Sequence, residues 1–206
     1  MTILFSGFIR RGGLPMKKSR VNFRKMYYGF PVFLVSFYDE NGVPNVTTLS
    51  SSYSLMDMMS LGFGRKGYAI NQIKKVKDFV INIPDRSIMK EIDFCGFASG
   101  HDTQKFDMVN LTPIKSEVVN APIIDECPVS IECTLTDVIE TDNYPHITNI
   151  LAKIKGRCIS KDLLDEENHL IYAELDPVLY VGDSSKRAYR YVQKGTMNLS
   201  KSFLEK

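Results

Sequence analysis

Short runs of apolar and polar residues cover most of the chain, and they predict strands rather than long helices. The first clear run is residues 31–39, PVFLVSFYD, which is rich in β-branched and aromatic side chains. Asn41-Gly42 follows it, and this dipeptide is the strongest local signal for a tight hairpin turn. We therefore expect residues 43–55, VPNVTTLSSSYSL, to return as the second arm of a β-hairpin.

The next segments predict two strands separated by a short helix. Residues 56–64, MDMMSLGFG, indicate a third strand, and the apolar run 79–84, FVINIP, indicates a buried strand that ends at Pro84. Between them, apolar residues recur at three-residue spacing, which is typical of an amphipathic helix. These residues are Ile70, Ile73, Val76 and Phe79.

The second half of the chain predicts further strands. Residues 86–97 indicate a second helix or an irregular stretch, and three prolines limit residues 111–129 to short extended pieces. In residues 130–141, four apolar side chains are expected on one face of a strand: Ile131, Cys133, Leu135 and Val138. Other strand-like runs cover residues 146–160, 170–183 and 188–195. Together these elements predict a mainly β fold, a small barrel with a few short peripheral helices.

The composition limits which binding partners and which cellular compartment we expect for this protein. The 206 residues fit one domain, which we expect to span residues 21–206, with residues 1–20 as an additional or disordered N-terminal extension. A net charge of +2 gives no reason to expect nucleic acid or a membrane surface as a partner. The four cysteines contain no CxxC pair, which argues against a zinc site. Reduced thiols and the lack of a signal-peptide layout or a long apolar run predict a cytoplasmic protein.

Gly62-Phe-Gly64-Arg-Lys-Gly67 formally matches the GxGxxG dinucleotide-binding pattern. That pattern works only where a buried parallel strand enters a helix within a βαβ unit. Here the preceding strand belongs to a hairpin-built meander, and the alternation of strands and helices is missing beyond residue 110. We therefore interpret these three glycines as positions where the backbone turns and comes close to another group.

The stretch that includes Thr47 and Thr48 is unusually polar for a strand. Seven of the ten residues 45–54 carry a hydroxyl group. A half-buried strand normally alternates apolar and polar side chains, because successive side chains point to opposite faces. A polar ligand would explain this pattern, and the alternative is a solvated edge strand, although such an edge normally keeps one apolar face.

Several segments in register resemble the flavin reductase-like family, and most closely the flavoredoxins, over about residues 28–195. The resemblance rests on YGFPVFLVSFYDENGVPNVTTLSSS, RKGYAINQIKKVKDFVINIP, CGFASGHDTQKFD, LTP and APIIDECPVSIEC. It implies a split β-barrel that binds FMN non-covalently, usually as a homodimer with the flavin near the subunit interface. Short hydroxyl side chains would suit such a ligand, because they donate and accept hydrogen bonds without bulk.

The resemblance also implies which residues contact FMN. Aligned with the family, these are Asn45, Thr47, Thr48, Ser50, Ser51, Ser52, Arg65, Tyr68, Ser99, Lys105, Phe106 and His146. Arg65 is expected at the phosphate, with an exposed surface arginine as the alternative. Lys105 is expected near the N1–C2 edge of the ring, where it would stabilise the negative charge of the reduced flavin. Phe106 fits a core position equally well, and a structural role for His146 is equally open.

Two departures from the family pattern bear on the flavin. Ala69 stands where the family often has threonine, and the chain contains no tryptophan. The implied function is an oxidoreductase that passes hydride from NAD(P)H to FMN and electrons to a small-molecule or protein acceptor, without a classical acid–base residue. The alternatives are a non-catalytic FMN carrier, store or sensor, and a split-barrel protein that has lost flavin.

Overall fold

A computed structural model describes residues 18–193 together with residues 195, 197, 198 and 200. Most of the expected N-terminal extension, residues 1–17, lies outside the described residues. Residues 18–20 are exposed and belong to no helix or strand.

Twelve strands and two α-helices make up the regular structure of the described residues. The strands are β1 Met26–Pro31, β2 Phe33–Tyr38, β3 Pro44–Leu49, β4 Ser52–Leu55, β5 Met58–Gly64, β6 Asp78–Ile83, β7 Pro113–Lys115, β8 Pro122–Ile124, β9 Val129–Ile139, β10 Ile147–Ile159, β11 Val178–Asp183 and β12 Arg187–Tyr191. The helices are α1 Tyr68–Val76 and α2 Met89–Phe97, with short 3₁₀ helices at Arg86–Ile88, Lys105–Met108, Lys161–Leu163 and Tyr172–Glu174. Every run expected to be extended contains a strand and both helices form, but the run 170–183 is a strand only from Val178, and Phe79 belongs to β6 rather than to α1. Strand β1 was not predicted.

A curled seven-stranded sheet dominates the fold, with the strand order β3-β2-β6-β9-β10-β5-β4. Every neighbouring pair in it is antiparallel. A three-stranded sheet, β1-β11-β12, and the pair β7-β8 complete the strands. The predicted mainly β fold is therefore confirmed, and antiparallel pairing leaves no parallel βαβ unit for a GxGxxG dinucleotide site.

The hairpin between β2 and β3 forms as its Asn-Gly turn predicts. Both the Asn41 and the Val43 backbone N–H groups donate to the Asp39 carboxylate over 2.9 Å. Gly42 has a φ of 78°, a left-handed conformation that glycine adopts without strain. The Asp39 side chain thus closes the turn that starts the hydroxyl-rich strand.

The hydroxyl-rich stretch is not one hairpin arm, as we expected, but two strands. β3 and β4 lie at opposite edges of the seven-stranded sheet. Ser50 and Ser51 carry the chain between these edges, and the Gly62 N–H donates to the Ser51 carbonyl over 2.9 Å. The sheet curls until its two edges approach each other, and a single-strand prediction misses this because curling is a property of the whole sheet.

Two apolar cores lie on the two faces of the curled sheet. The inner core contains Phe33, Val35 and Phe37 of β2, against which α1 packs with Ile70 and Ile73. The outer core contains Leu34 of the same strand and Val32 just before it, together with Val46 of β3 and Ile92 and Cys95 of α2. Buried side chains on both sides of the chain explain why residues 32–35 form an unbroken apolar run.

Val138 is 41% exposed and lies outside the inner core, contrary to our expectation. The β9–β10 ladder changes register between Leu151 and Ala152, so that Asp137 and Leu135 become their respective partners. Beyond this change Val138 pairs with the buried Ile150 and lies on the same side of the sheet, but it stands near the end of β9, where residues 136–139 are all exposed. No helix in the described part of the chain is long and apolar enough to cross a membrane.

Candidate functional site

Two clefts lie on either side of the edge strand β3. The inner cleft, of about 280 Å³, is lined by Asn45 and Thr47 of β3, by the segment from Gly64 to Ile70, and by residues 98–101 and Lys105. The outer cleft, of about 220 Å³, is lined by residues 48–51, by the end of α2, and by side chains of β1, β11 and β12. Alternation along β3 sends successive hydroxyl side chains into different clefts.

Lys105 is the most unusual residue of the inner cleft. Its side chain is only 3% exposed, and its ammonium group donates to the Cys95 carbonyl oxygen over 2.8 Å. No carboxylate among the described residues forms an ion pair with it, and no aspartate or glutamate lines the cleft. Burial lowers the pKa of Lys105, because desolvation disfavours the charged form. An anion bound in the cleft would relieve that cost.

The N-terminus of α1 opens into the same cleft. β5 ends at Gly64, and the Gly67 N–H donates to the Gly64 carbonyl over 2.9 Å, which turns the chain into the helix. The helix begins at Tyr68 after Gly67, without a side-chain cap. The first backbone N–H groups of a helix have no intrahelical acceptor and attract anions. Lys66, in the same turn, adds a second cation to the lining.

Asn45 carries an unsatisfied donor. The residue is 1% exposed, and its Oδ1 accepts from the Val46 N–H over 2.8 Å. Its Nδ2 is buried and has no hydrogen-bond partner within the described residues. Buried donors are rarely left unpaired in native proteins. Asn45 also lines the inner cleft, so this unpaired donor lies next to the space where a polar ligand would bind.

Tyr68 forms one wall of the inner cleft and is held from both sides. Its hydroxyl donates to the Asp39 carboxylate over 3.0 Å. Its ring meets His101 edge-on at 5.2 Å, and a Cβ added at Gly100 would lie 2.5 Å from it. Burial, and then the hydrogen bond to Asp39, raise the pKa of Tyr68 to about 12. The phenol therefore stays protonated at neutral pH and acts as a donor to Asp39.

The twelve sequence-predicted site residues fall into three groups. Asn45, Thr47, Tyr68, Ser99 and Lys105 line the inner cleft. Thr48, Ser50 and Ser51 line the outer cleft, where the Thr48 hydroxyl donates to the Ile92 carbonyl of α2 over 2.6 Å. Ser52, Arg65, Phe106 and His146 line neither cleft.

Arg65 is directed away from the inner cleft. Its guanidinium lies 3.3 Å from the Glu140 carboxylate, which Lys74 also pairs with. Hydrogen bonds from Lys74 and Thr148, followed by the charges of Lys74 and Arg65, lower the pKa of Glu140. The Arg65 backbone N–H donates to the His146 carbonyl over 3.0 Å, which joins two predicted residues outside the cleft.

The remaining two predicted residues outside the clefts, Ser52 and Phe106, have structural positions. Ser52 begins β4 and pairs with Leu61. Phe106 is partly buried and packs against the outer core.

Sequence reasoning missed His101 and Lys66, both of which line the inner cleft. His101 directly follows Ser99-Gly100 within the segment CGFASGHDTQKFD that carries the family resemblance, and this position was the available signal.

Comparisons with known proteins agree with this architecture. The family model described as "Flavin reductase like domain" matches residues 24–187. The structure of flavoredoxin from Desulfovibrio vulgaris (Miyazaki F) is 26% identical with a TM-score of 0.80, over 91% of this chain and 100% of that one. A protein from Shewanella frigidimarina described as a flavin reductase with a split barrel domain is 16% identical with a TM-score of 0.71, over 83% and 86% of the two chains.

A relative among curated sequences is the uncharacterized protein YdfE of Bacillus subtilis. It is 26% identical over 173 residues, which cover 75% of this chain and 82% of the relative. The two solved structures confirm the split-barrel fold that we expected from the sequence.

Proposed function

Because the chain belongs to the flavin reductase-like family, we propose that it binds FMN and acts as an oxidoreductase of the flavin reductase type. The observation that carries this proposal is Lys105, a buried cation without a carboxylate partner among the described residues, in a cleft lined by no acidic side chain. Such a cation costs free energy in the unliganded protein, and an anionic ligand recovers it.

The inner cleft suits the phosphate end of FMN. Lys105, Lys66 and the first N–H groups of α1 supply positive charge and donors from three directions. Charge-assisted hydrogen bonds of this kind are about twice as strong as neutral ones. Ala69 replaces a family threonine in the first turn of α1, but its backbone N–H remains at the helix N-terminus.

The neutral parts of FMN also find matching groups. The free Asn45 Nδ2 would donate to an acceptor on the ligand, and the Thr47 side chain shares its face of β3. About 280 Å³ is slightly below the usual size of a ligand pocket. The ring would therefore extend beyond the inner cleft, towards Ser50 and Ser51 where the chain leaves β3.

Bound FMN would supply the redox chemistry, in which it takes hydride from NAD(P)H and passes electrons to a small-molecule or protein acceptor. The residues of this chain hold and orient it. Lys105 would anchor the anionic end, which is a different position from the ring edge that the family resemblance implies for it, and Tyr68 keeps residues 98–101 against the cleft. We assign no acid–base catalyst, because the flavin itself would carry the hydride chemistry.

We also propose a cytoplasmic homodimer. The four cysteines are all unpaired, which suits a reducing compartment. β4 is the last strand of the seven-stranded sheet, and its end exposes Tyr53, Leu55 and Met56. An exposed sheet edge with large apolar side chains favours association with a second copy. Sedimentation of the full chain, and of Leu55→Lys, tests this: the wild type should be dimeric and the variant monomeric.

Anaerobic addition of NADH or NADPH to the FMN-loaded protein tests the activity. Loss of the visible flavin absorbance at a rate far above that of free FMN supports a reductase. Flavin binding without this bleaching identifies a carrier or sensor instead. Failure to bind FMN contradicts both functions.

A further inference from the structure

The outer cleft combines aromatic rings with an arginine. Tyr27, Phe97, Tyr180 and Tyr189 line it, and Arg187 of β12 is its one charged lining residue. We propose that the outer cleft binds a small planar aromatic ring that carries one anionic group, such as an aromatic carboxylate. Taken together with the proposed function, this ligand would lie beside the flavin.

The aromatic walls are already arranged to receive a flat ring. The Tyr27 and Tyr180 centroids lie 5.0 Å apart with an interplanar angle of 63°, and those of Tyr180 and Tyr189 lie 5.5 Å apart at 49°. Phe97, at the end of α2, is 68% exposed and forms the rim. Inclined aromatic rings favour edge-to-face and offset contacts with a further ring. A volume of about 220 Å³ limits the ligand to one or two rings.

Arg187 gives the cleft its charge preference. No carboxylate among the described residues forms an ion pair with it. One lining side chain does contact a carboxylate, because the Tyr189 hydroxyl donates to Asp93 over 2.9 Å. A planar guanidinium without a carboxylate partner is suited to a bidentate contact with a ligand carboxylate.

The hydroxyl groups in the outer cleft differ in their availability. Thr48 donates to the Ile92 carbonyl and Tyr189 to Asp93, so both are engaged. No side-chain hydrogen bond within the described residues occupies the hydroxyls of Ser50 or Ser51. These two serines lie where the chain leaves β3, between the two clefts, and offer polar contacts to a ligand on either side.

The outer cleft is separate from the cofactor cleft. The Thr47 and Thr48 side chains point to opposite faces of β3, and Leu49 lines both clefts. A ligand in the outer cleft would therefore lie next to bound FMN without replacing its phosphate end.

Isothermal titration of the full chain with 4-hydroxybenzoate tests the proposal, both without FMN and with saturating FMN. The neutral 4-hydroxybenzyl alcohol and the non-planar cyclohexanecarboxylate serve as comparison ligands. We expect 4-hydroxybenzoate to bind with a Kd below about 1 mM in both conditions, and at least about tenfold more tightly than either comparison ligand. Because the titration without FMN stands alone, failure of FMN binding leaves this test intact.

Two pairs of variants locate the site. Arg187→Gln should weaken 4-hydroxybenzoate binding about tenfold, whereas Arg190→Gln, on the opposite face of β12, should not. Phe97→Ala should weaken binding, whereas Tyr172→Ala, with a matching exposure of 69% against 68%, should not. Both test residues are exposed, so folding should be unaffected, and circular dichroism checks this.

Three results overturn the proposal. The first is absence of 4-hydroxybenzoate binding up to about 10 mM, a concentration beyond which affinity is not specific. The second is binding that Arg187→Gln leaves unchanged. The third is displacement of the ligand by FMN, which would assign the outer cleft to the flavin ring.

Discussion

The ammonium group of Lys105 lies 2.8 Å from the carbonyl oxygen of Cys95, in the last turn of α2. Helix C-terminal carbonyls carry partial negative charge and stabilise a nearby cation. This contact favours the charged form of a buried lysine in a cleft to which the described residues contribute no carboxylate, and it places that cation where an anionic ligand could bind.

Replacing Lys105 should weaken FMN binding by at least about tenfold, the effect of losing about 1.4 kcal/mol. Lys105→Met keeps the length of the side chain and removes the charge. Arg65→Gln is the matched control, because it also removes one positive charge but from a residue that pairs with Glu140 outside the cleft. Quenching of FMN fluorescence measures both affinities. A larger loss in Arg65→Gln would place the phosphate at Arg65 instead.

Lys105 should also make the stability of the unliganded protein depend on pH. Burial lowers its pKa in the folded state, below the ordinary 10.5. Between these two values the unfolded chain binds more protons, so the free energy of unfolding rises with pH; below the folded-state pKa this contribution is constant. Urea unfolding from about pH 7 to about pH 10 should show the wild type gaining stability relative to Lys105→Met. Parallel curves for the two proteins would contradict this.

The hydrogen bond from Tyr68 to Asp39 should stabilise the fold. Asp39 is 6% exposed and closes the β2–β3 turn, so loss of its tyrosine partner leaves a buried carboxylate less satisfied. Tyr68→Phe should lower the free energy of unfolding by about 1 kcal/mol. Tyr172→Phe, at a residue 69% exposed in the 3₁₀ helix Tyr172–Glu174, should change it little. Equal effects of the two substitutions in urea unfolding would argue against the role of this hydrogen bond.

Gly100 should resist substitution because Tyr68 fills the space beside it. A Cβ at this position would lie 2.5 Å from the Tyr68 ring, so either residues 98–101 or the ring must move. Gly100→Ala should therefore lower both the melting temperature and the FMN affinity. Gly64→Ala, where nothing lies within 4 Å of an added Cβ, should leave the melting temperature nearly unchanged. A fully stable Gly100→Ala with normal FMN binding would show that this packing is dispensable.

Local patterns predicted the local structure. The Asn41-Gly42 turn, the α1 periodicity and most strands follow from interactions within a few residues, and all of them form. The division of the hydroxyl-rich stretch between β3 and β4 depends instead on sheet curvature. Likewise, the exposure of Val138 depends on how far the inner core extends along β9, which no local pattern shows.

The site was harder to predict than the fold for the same reason. Arg65 lies three residues before the start of α1 in the sequence. Its guanidinium nevertheless forms an ion pair with Glu140, the residue that follows β9. Lys105 could be placed by resemblance, whereas its burial depends on α2 and β3 meeting around it. Nothing local to residues 99–105 shows that the lysine has no carboxylate partner among the described residues.

A comparison of FMN with riboflavin tests the central claim most directly, because the two ligands differ only in the phosphate. Titrations of the wild type and of Lys105→Met give four affinities. The wild type should bind FMN at least about tenfold more tightly than riboflavin, and Lys105→Met should lose most of this preference. Equal affinity of the wild type for the two ligands, or no affinity for either, would contradict an FMN phosphate site at Lys105.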